Sequence, residues 1–528
     1  MNTVPDQIPV PAPPARTDVA IIGAGPAGLT AAVTAADAGC AVCVLDLGER
    51  PGGQFWRWGP ATGDGRFHHG WPAFTALRDR FAAHVAGGRI DYRPGHAVFH
   101  VGRPRYGRMF RVHAVADDRR REHAAVEAAV VVIATGAYDR QLPVPGWTLP
   151  GVMSAGAAQA LLKGSAVVAG RRVVVAGSGP FLLPVAAGLT QAGARVVAVV
   201  EAGQPLDYLR HPAGVAAAWR KLPEAGGYLA RLARHRVPLL SRHAVVAAHG
   251  DGRLQSVTVA KVGPAWERVP GSDRTLEADV LAAGYGFVPQ VELLAEAGAG
   301  LRAVASEGGF AAVTGPDQQT AVPGLFAAGE TTGVGGADLA RIEGLIAGRA
   351  AARAVASVVG RDSGGAAGSA RGPVVPDRRI ERQRAALRRF AAVMDRVHAV
   401  QPGWTGWPDD DTVVCRCEEV TVARLRAAID LGADDVRSVK LLARPGMGWC
   451  QGRICGQAVA ALTAAHPRDR DGAGTPGHDE TGHDETGHGD TGHDDAERAV
   501  SRPLAQPVPL RVLAELGRDD EDDAVSVD

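Results

Sequence analysis

The sequence predicts an α/β protein: one nucleotide-fold unit, a second such unit inserted into it, and a small thiol-bearing domain behind them. Three stretches carry that prediction. DVAIIGAGPAGLTAAVTAADAGCAVCVLD begins at Asp18, RRVVVAGSGPFLLPVAAGLTQAGARVVAVVE begins at Arg171, and a cysteine-bearing region runs from VVCRCEEVT to GMGWCQGRICG. Each of the first two passes from an apolar run through close-set glycines into an Ala-rich run and back to an apolar run. That is a strand, a tight turn, a helix and a second strand.

In the first stretch Gly23 allows the tight turn, Gly25 lets the backbone approach a pyrophosphate, and Gly28 lets helix and strand pack closely. Pro26 and Ala27 open the helix, whose N-terminal end faces phosphate charge. Asp46, 23 residues after Gly23, is placed to accept hydrogen bonds from a ribose. Cys40 and Cys43 fall at the helix end and in the second strand, where a pair seldom has the geometry to close, so both read as core residues.

In the second stretch Gly177 and Gly179 hold the first two glycine positions and Glu201 ends the next strand, while Leu182 replaces the third glycine. A second Rossmann-like unit is expected there; whether it binds a nucleotide is left open, since a fold does not fix its ligand. Two segments lead back to the first unit. VVIATGAYDRQLPVPGW turns sharply at Ala134, Thr135 and Gly136, and TAVPGLFAAGETTGVGGADLARIEG ends a strand at Gly329 and Glu330 before Gly333, Gly335, Gly336 and a helix. Taken alone, Glu330 reads more readily as a solvated turn carboxylate.

Together these features resemble the two-dinucleotide-binding-domain flavoproteins, over roughly residues 16 to 355. The resemblance implies FAD on the first unit, held by Gly23, Gly25, Pro26, Ala27, Gly28 and Asp46, by Arg50, Gly53 and Gln54 of ERPGGQ, by Ala134, Thr135 and Gly136, and by Gly329, Glu330 and Gly336. It places the Glu330 carboxylate on a ribityl hydroxyl and the Gly-rich helix start on the flavin pyrimidine edge. Asp46 stands where such proteins more often carry Glu. NAD(P) or another adenine nucleotide is the corresponding expectation for Gly177, Gly179 and Glu201. Neither ERPGGQFWRW nor the inserted unit carries a redox cysteine pair, so thiol–disulfide chemistry is not expected.

The thiols are Cys415-x-Cys417 and Cys450-x4-Cys455, with 32 residues between the pairs. Four thiolates in a small unit suit tetrahedral zinc or an iron–sulfur cluster. A single residue within the first pair and glycines Gly446, Gly448, Gly452 and Gly456 around the second favour a backbone wrapped on a cluster. The unit resembles the bacterioferritin-associated-ferredoxin-like domain, which implies a [2Fe–2S] cluster on Cys415, Cys417, Cys450 and Cys455. Its second pair departs from the Cys-x-x-Cys of that family. With PGWTLPGVMSAGAAQ, GADLARIEG and RPLAQPVPL added, the chain is similar to the group holding the A subunit of opine oxidases, the B subunit of hydrogen cyanide synthase and the alpha subunit of dye-linked L-proline dehydrogenases. The alpha subunit of heterotetrameric sarcosine oxidase is a looser relative. That similarity implies a smaller FAD partner subunit of the D-amino-acid-oxidase type, an amine or amino-acid substrate of the opine, proline or glycine kind, and a non-oxygen electron acceptor.

The expected organisation is a first FAD part at 16–167, the inserted unit at 168–275, a second FAD part at 276–356, a linker at 357–378, the helical segment and thiol domain at 379–466, a His/Asp-rich linker at 467–497 and a closing segment at 498–528. His478, His483, His488 and His493 recur every five residues in the last linker, where solvated chain is the default and weak metal binding the alternative. Asp338, Arg341 and Glu343 read as general-base candidates or, no less readily, as charges that complement a helix N-terminus and form a surface ion pair. Tyr138 and Trp147 read as flavin neighbours or core aromatics. Basic and acidic side chains number 57 each, which argues against nucleic acid or acidic membranes as partners. No leader-like start and no membrane-length apolar run is present, so a cytoplasmic protein is expected. The expected activity is a flavin/iron–sulfur oxidoreductase subunit; the alternatives are a self-contained NAD(P)H-dependent flavoprotein reductase and a zinc-bearing non-catalytic scaffold.

Overall fold

Strands β1 (Ala15–Ile22) and β2 (Val42–Asp46) are the apolar runs on either side of the first glycine turn, paired in parallel across helix α1 (Pro26–Asp37). The computed structural model describes residues 15–103, 109–116, 122–217, 221–304, 309–362, 377–466 and 504–514. Pro26 opens α1, where its fixed φ and missing N–H suit the first turn. Helix α2 (Trp71–Ala86) leads to β3 (Ile90–Pro94), which adds in parallel to β2. Then β4 (His96–Gly102), β5 (Phe110–Ala116) and β6 (His123–Ile133) run antiparallel until β6 lies parallel to β1. Gly23 therefore sits at the carboxyl edge of a parallel core, the usual place for a ligand crevice in open α/β sheets.

The chain leaves this unit through β7 (Ala137–Asp139). The inserted unit holds β8 (Val152–Ser154), α3 (Ala155–Ser165), β9 (Arg172–Gly177), α4 (Leu182–Gln191), β10 (Arg195–Glu201), α5 (Pro212–Ala217), α6 (Leu222–Arg234) and β11 (Leu239–Ser241). An antiparallel layer follows, β12 (His243–His249), β13 (Ser256–Lys261) and β14 (Arg274–Glu277), and then β15 (Val280–Gly284). The inserted parallel sheet runs β11-β10-β9-β15-β8. It draws β8 and β15 from outside 168–275, so the unit is wider than its glycine motif marks. The chain returns through β16 (Phe287–Pro289), antiparallel to β7, and Thr135 Oγ1 donates to the Gln290 carbonyl at 2.8 Å.

Next come α7 (Glu292–Glu296), β17 (Leu301–Val304), β18 (Gly309–Ala312), β19 (Leu325–Ala327), which joins β6 in parallel, and α8 (Ala337–Asp362). Helix α8 lies tightly on α1: a Cβ on Gly344 would sit 2.2 Å from the Ala27 carbonyl oxygen. It runs to Asp362, beyond Ser357 where the linker was expected to begin, and most of that linker lies outside the described residues.

Helix α9 (Arg378–Val397) bridges the two units. Its Arg388 donates to the Thr332 carbonyl and pairs with Glu343 beside the first unit, while its Val393 packs on Gly214 of α5 in the second. The thiol domain follows with β20 (Val413–Cys415), β21 (Val420–Thr421), α10 (Val422–Asp430), α11 (Val436–Ala443) and α12 (Gly456–Ala465). Its core merges with the inserted unit: Trp266 and Trp407 stack with centroids 6.0 Å apart, and Trp147 Nε1 donates to the Val413 carbonyl at 2.6 Å. Trp147 is thus a core aromatic of this junction, and Tyr138 lies in β7 opposite Val288. Residues 504–514 return to the first unit, where the Ala505 N–H donates to the Phe99 carbonyl at 2.9 Å and Val512 packs beside Phe99 and Val115. Cys40 and Cys43 are buried in the first unit, and burial pushes the Cys43 thiol up to about 12. The histidine repeat lies outside the described residues.

Candidate functional site

The first glycine turn leaves β1 through Gly23 at φ 101°, its N–H held by the Leu45 carbonyl at 2.8 Å. A Cβ on Gly23 would lie 2.5 Å from the Ala134 oxygen, and one on Gly28 would lie 1.8 Å from the Gly23 oxygen. Neither site has room for a side chain. The ERPGGQ loop folds over the turn, since a Cβ on Gly53 would come within 2.7 Å of the Gly25 Cα. Arg50 in that loop lies over the Trp58 ring, and Gln54 Oε1 accepts from Arg57 Nε at 3.1 Å.

Asp46 Oδ1 accepts from the Ala24 N–H at 3.1 Å, whereas its Oδ2 is buried with no hydrogen-bond partner. Burial holds the carboxyl above its ordinary range, against the N–H groups that lower it. A buried oxygen left without a donor is costly, and a ribose hydroxyl supplies a donor of the right kind. The residues present therefore fit a dinucleotide cofactor at this turn.

The late segment completes the same crevice. Gly329, at φ 81°, donates its N–H to Glu343 Oε2 at 3.0 Å. Glu330 Oε1 accepts from the Gly335 and Gly336 N–H groups at 3.2 and 2.8 Å, and desolvation pushes its carboxyl up to about 7. Glu330 thus caps the amides assigned from sequence to a flavin edge. Glu343 is not on the surface: it is fully buried, bonded to Gly329, Thr332 and Arg388. Sequence reasoning missed this hub because Arg388 lies 45 positions away on another helix. Asp338 forms a partly exposed pair with Lys221 at 2.6 Å, and Arg341 lies over the Trp56 ring, 5.9 Å from its centroid.

At the second glycine turn the corresponding acid is fully engaged. Glu201 Oε2 accepts from the Gly179 N–H at 2.9 Å and its Oε1 from the Gly203 N–H at 2.8 Å. His398, just past α9, covers the turn: its ring lies 4.0 Å from where a Gly179 Cβ would be. Its Nε2 meets the Tyr208 hydroxyl at 3.0 Å, and Ser178 Oγ donates to its carbonyl at 3.3 Å. Gly177 is locked against β15, where a Cβ would sit 1.7 Å from the Gly284 oxygen. Nothing in the glycine spacing announces His398, which lies more than 200 positions away.

The four thiols meet in pairs. Cys455 contacts Cys415 and Cys450, and Cys450 also contacts Cys417. The hydrogen bond from Cys455 holds the Cys415 thiol down to about 6 and the Cys450 thiol down to about 5, while Cys455 itself is raised by the same two contacts. Backbone N–H groups reinforce the anionic form: Gly446 N lies 3.5 Å from Cys415 Sγ, and Gly452 and Ile454 face Cys450. The loops are tightly wound, with Glu419, Arg444 and Gln451 in left-handed conformations, and a Cβ on Gly448 would lie 2.3 Å from the Cys417 Cβ. Among the described residues no three His, Cys, Asp or Glu side chains are grouped so as to hold one metal ion. Thiolate-prone sulfurs in contact by pairs, ringed with backbone donors, fit a spread-out cluster.

This site is tied to the first unit. Arg453, between Cys450 and Cys455, pairs with Glu292 at 2.9 Å and donates to the Ala505 carbonyl, and Gln506 reaches the Val98 carbonyl at 3.1 Å.

Fold and sites together define a flavoprotein oxidoreductase that also carries an iron–sulfur centre. The chain belongs to the pyridine nucleotide-disulphide oxidoreductase family, which matches residues 17–346, and the BFD-like [2Fe-2S] binding domain matches residues 413–465, where all four C-terminal cysteines lie. It is an FAD-dependent oxidoreductase with FAD and a [2Fe–2S] cluster as its cofactors. It is similar to the A subunit of opine oxidase from Agrobacterium tumefaciens (strain Ach5), 32% identical over 85% of this chain and 86% of the relative. Hydrogen cyanide synthase subunit HcnB of Pseudomonas aeruginosa is also 32% identical, over 82% of this chain and 90% of the relative. Among solved structures, L-proline dehydrogenase from P. horikoshii shares the fold with a TM-score of 0.56 at 19% identity, covering 86% of this chain and 75% of that one. Among the described residues no helix is long and apolar enough to cross a membrane.

Proposed function

We propose that this chain is the electron-relay subunit of an amine or amino-acid dehydrogenase. The substrate's C–N bond is oxidised to C=N on a smaller FAD-bearing partner subunit of the D-amino-acid-oxidase type, releasing two electrons and two protons. The electrons leave through this chain to a non-oxygen acceptor. Bound FAD supplies two-electron exchange and the [2Fe–2S] cluster single-electron steps. The named activities of the relatives, opine oxidase, hydrogen cyanide synthase and sarcosine oxidase, support an amine or amino acid as donor.

The observation that carries the reading is the tether between the thiol site and the first unit. Arg453 lies inside the second cysteine pair and pairs with Glu292, at the start of the helix that follows the return from the inserted unit. In this reading Gly23, Gly25 and Gly28 give the backbone its approach to the FAD pyrophosphate at the start of α1. Asp46 Oδ2 accepts a ribose hydroxyl, and Gly53 closes the loop over the turn. Cys415, Cys417, Cys450 and Cys455 hold the cluster, with Gly446 and Gly452 N–H groups stabilising sulfur charge. Arg388 and Glu343 fix Gly329 and Thr332 beneath the flavin end of the crevice. Entry of hydride from a nicotinamide through the second unit has His398 against it.

The test is an absorption and EPR spectrum of the anaerobically purified chain before and after dithionite. Flavin bands with the low-temperature signal of a reduced [2Fe–2S] centre are expected, and Cys450→Ser should lose that signal while keeping the flavin bands. Flavin with zinc in place of iron, or NADH reducing the flavin of the isolated chain within seconds, overturns the relay reading.

A further inference from the structure

The thiol site ends at the surface, and the surface there is apolar. Cys415 and Cys455 are buried and Cys450 is half-buried, but Cys417 is exposed. Beside it stand Trp449 and Leu441, 74% and 71% exposed, with Met447 at 46%. The backbone sets them there. Gly448, between Met447 and Trp449, is pressed on Cys417, where an added Cβ would lie 2.3 Å from the Cys417 Cβ. The Met447 N–H donates to the Arg444 carbonyl at 3.3 Å, which folds the loop back on the end of α11. Among the described residues Trp449 is the only exposed tryptophan. Large apolar side chains left in water forfeit roughly 25 cal/mol per Å² that burial would return, and Trp, Met and Arg are the residues enriched where proteins meet.

The rim of this patch is basic. On α11 Arg437, Lys440, Leu441 and Arg444 follow one another at helical spacing and share a face, turned away from the buried Val439 and Ala443. Arg444 pairs with Glu418 at 3.3 Å and so brings that face to the Cys417 loop. The two cysteine-bearing segments, 415–419 and 436–450, hold Arg416, Arg437, Lys440 and Arg444 against Glu418 and Glu419. A surface that matches this one is acidic. Size narrows the partner further. Three large side chains with a charged rim suit the interfaces of redox encounters, below roughly 1,200 Å², whereas permanent subunit contacts take roughly 2,000 Å² or more.

We propose that Trp449, Met447 and Leu441, rimmed by Arg437 and Arg444, dock a small acidic protein that carries one electron at a time. The partner's acids meet the α11 cations, and its redox centre is brought against Cys417, the one thiol of the four that reaches solvent freely. The proposal rests on the electron-relay reading and gives its acceptor a chemical class.

The test uses the full-length chain, loaded with FAD and its cluster and checked by EPR, with two haem proteins of opposite charge as probes: acidic cytochrome b5 and basic cytochrome c. In calorimetry at low salt the oxidised chain should bind cytochrome b5 saturably and about tenfold tighter than cytochrome c. Chloride at about 0.3 M should weaken that binding. Trp449→Ser should weaken it about tenfold and Arg437→Glu about fivefold, both with the EPR signal kept. After dithionite reduction and removal of the excess, the chain should give one electron to each ferric haem, leaving it ferrous, and the same variants should slow that transfer. An absent cluster signal in the unmutated chain sinks the relay reading and this proposal with it. With the signal present, no saturable binding of cytochrome b5, tighter binding of cytochrome c, or binding unchanged in both variants overturns the dock alone. A concentration-dependent dimer in sedimentation that Trp449→Ser dissolves assigns the patch to a second copy of the chain and likewise overturns it.

Discussion

The turn at Gly23-Ala24-Gly25 and the turn at Gly177-Ser178-Gly179 both end a parallel strand, and both face an acid at the end of the neighbouring strand, yet the acids do different work. Asp46 bonds only to the middle residue of its turn, Ala24; the Gly48 N–H also favours its charged form, yet its buried Oδ2 completes no hydrogen bond. Glu201 is one methylene longer, reaches the second glycine, and spends its other oxygen on Gly203. The amide that a pyrophosphate would meet is thereby taken from inside the protein. Helix α9 deepens the contrast: it sends Arg388 to the acid hub under the first unit and ends beside His398 over the second turn. Two units of one architecture thus differ at their turns by one side-chain length and one bridging helix.

The third glycine position separates the units most sharply. Gly28→Val puts atoms where only 1.8 Å separates a Cβ from the Gly23 carbonyl, so the purified variant should carry no flavin. Leu182 already fills that position in the second unit, and Leu182→Ala should leave the flavin-to-protein ratio unchanged, at a stability cost of about 2–5 kcal/mol from the lost core volume. The side chains that α9 and its end bring to the two units should rank next. Arg388→Met strands Glu343, which is fully buried, and should cost about 3–5 kcal/mol in urea unfolding. His398→Ala, opposite a Glu201 already satisfied by two backbone donors, should cost on the order of 1 kcal/mol. Equal costs would mean that α9 serves both units alike.

The acids themselves give the next test. Asp46→Ala should weaken FAD about 10- to 100-fold, the equivalent of about 1.5–3 kcal/mol for a hydrogen bond to a charged group. Glu201→Ala should leave FAD affinity alone and lower the melting temperature. FAD affinity that depends on Glu201 and not on Asp46 would reverse the assignment of the two units.

The difference between the units was only half legible in the sequence. The strands, the glycine turns and Asp46 follow from local spacing, because steric demands at a tight turn act within a few residues. Leu182 at the third position was a visible sign that the second unit departs from the pattern. What closes that unit was not visible: His398 arrives from a helix after the linker, and the Glu343–Arg388 and Glu292–Arg453 pairs join segments with no shared period. Charges on a helix read as surface charges until the partner helix is placed, and for that reason a surface ion pair was at least as ready a reading of Glu343 as a general base, although the residue lies inside. The four cysteines were legible as a set because thiols are scarce in this chain. Their tether through Arg453 was not, since an arginine between two cysteines carries no signal of its own.

The smallest expected effect concerns pH and belongs to the first unit. Glu330 has its carboxyl raised from an ordinary 4.5 to about 7, chiefly by desolvation, although the Gly335 and Gly336 N–H groups pull the other way. The folded chain therefore holds a proton that the unfolded chain has already released. Below about pH 4.5 both states are protonated and the group costs nothing. As pH rises from there to about 7 the cost grows, and above 7 it is present in full, so this group makes the cofactor-free chain less stable toward neutral pH. Glu343 is raised in the same direction, with Arg388 working against it, so Glu330 accounts for part of the slope. Glu330→Gln should flatten that part, gaining stability at pH 8 relative to pH 5 when melting temperatures of the two cofactor-free chains are compared. An unchanged slope would mean that the Gly335 and Gly336 amides hold the carboxylate charged through the whole range, and that the first unit keeps a fixed negative charge at the end of β19.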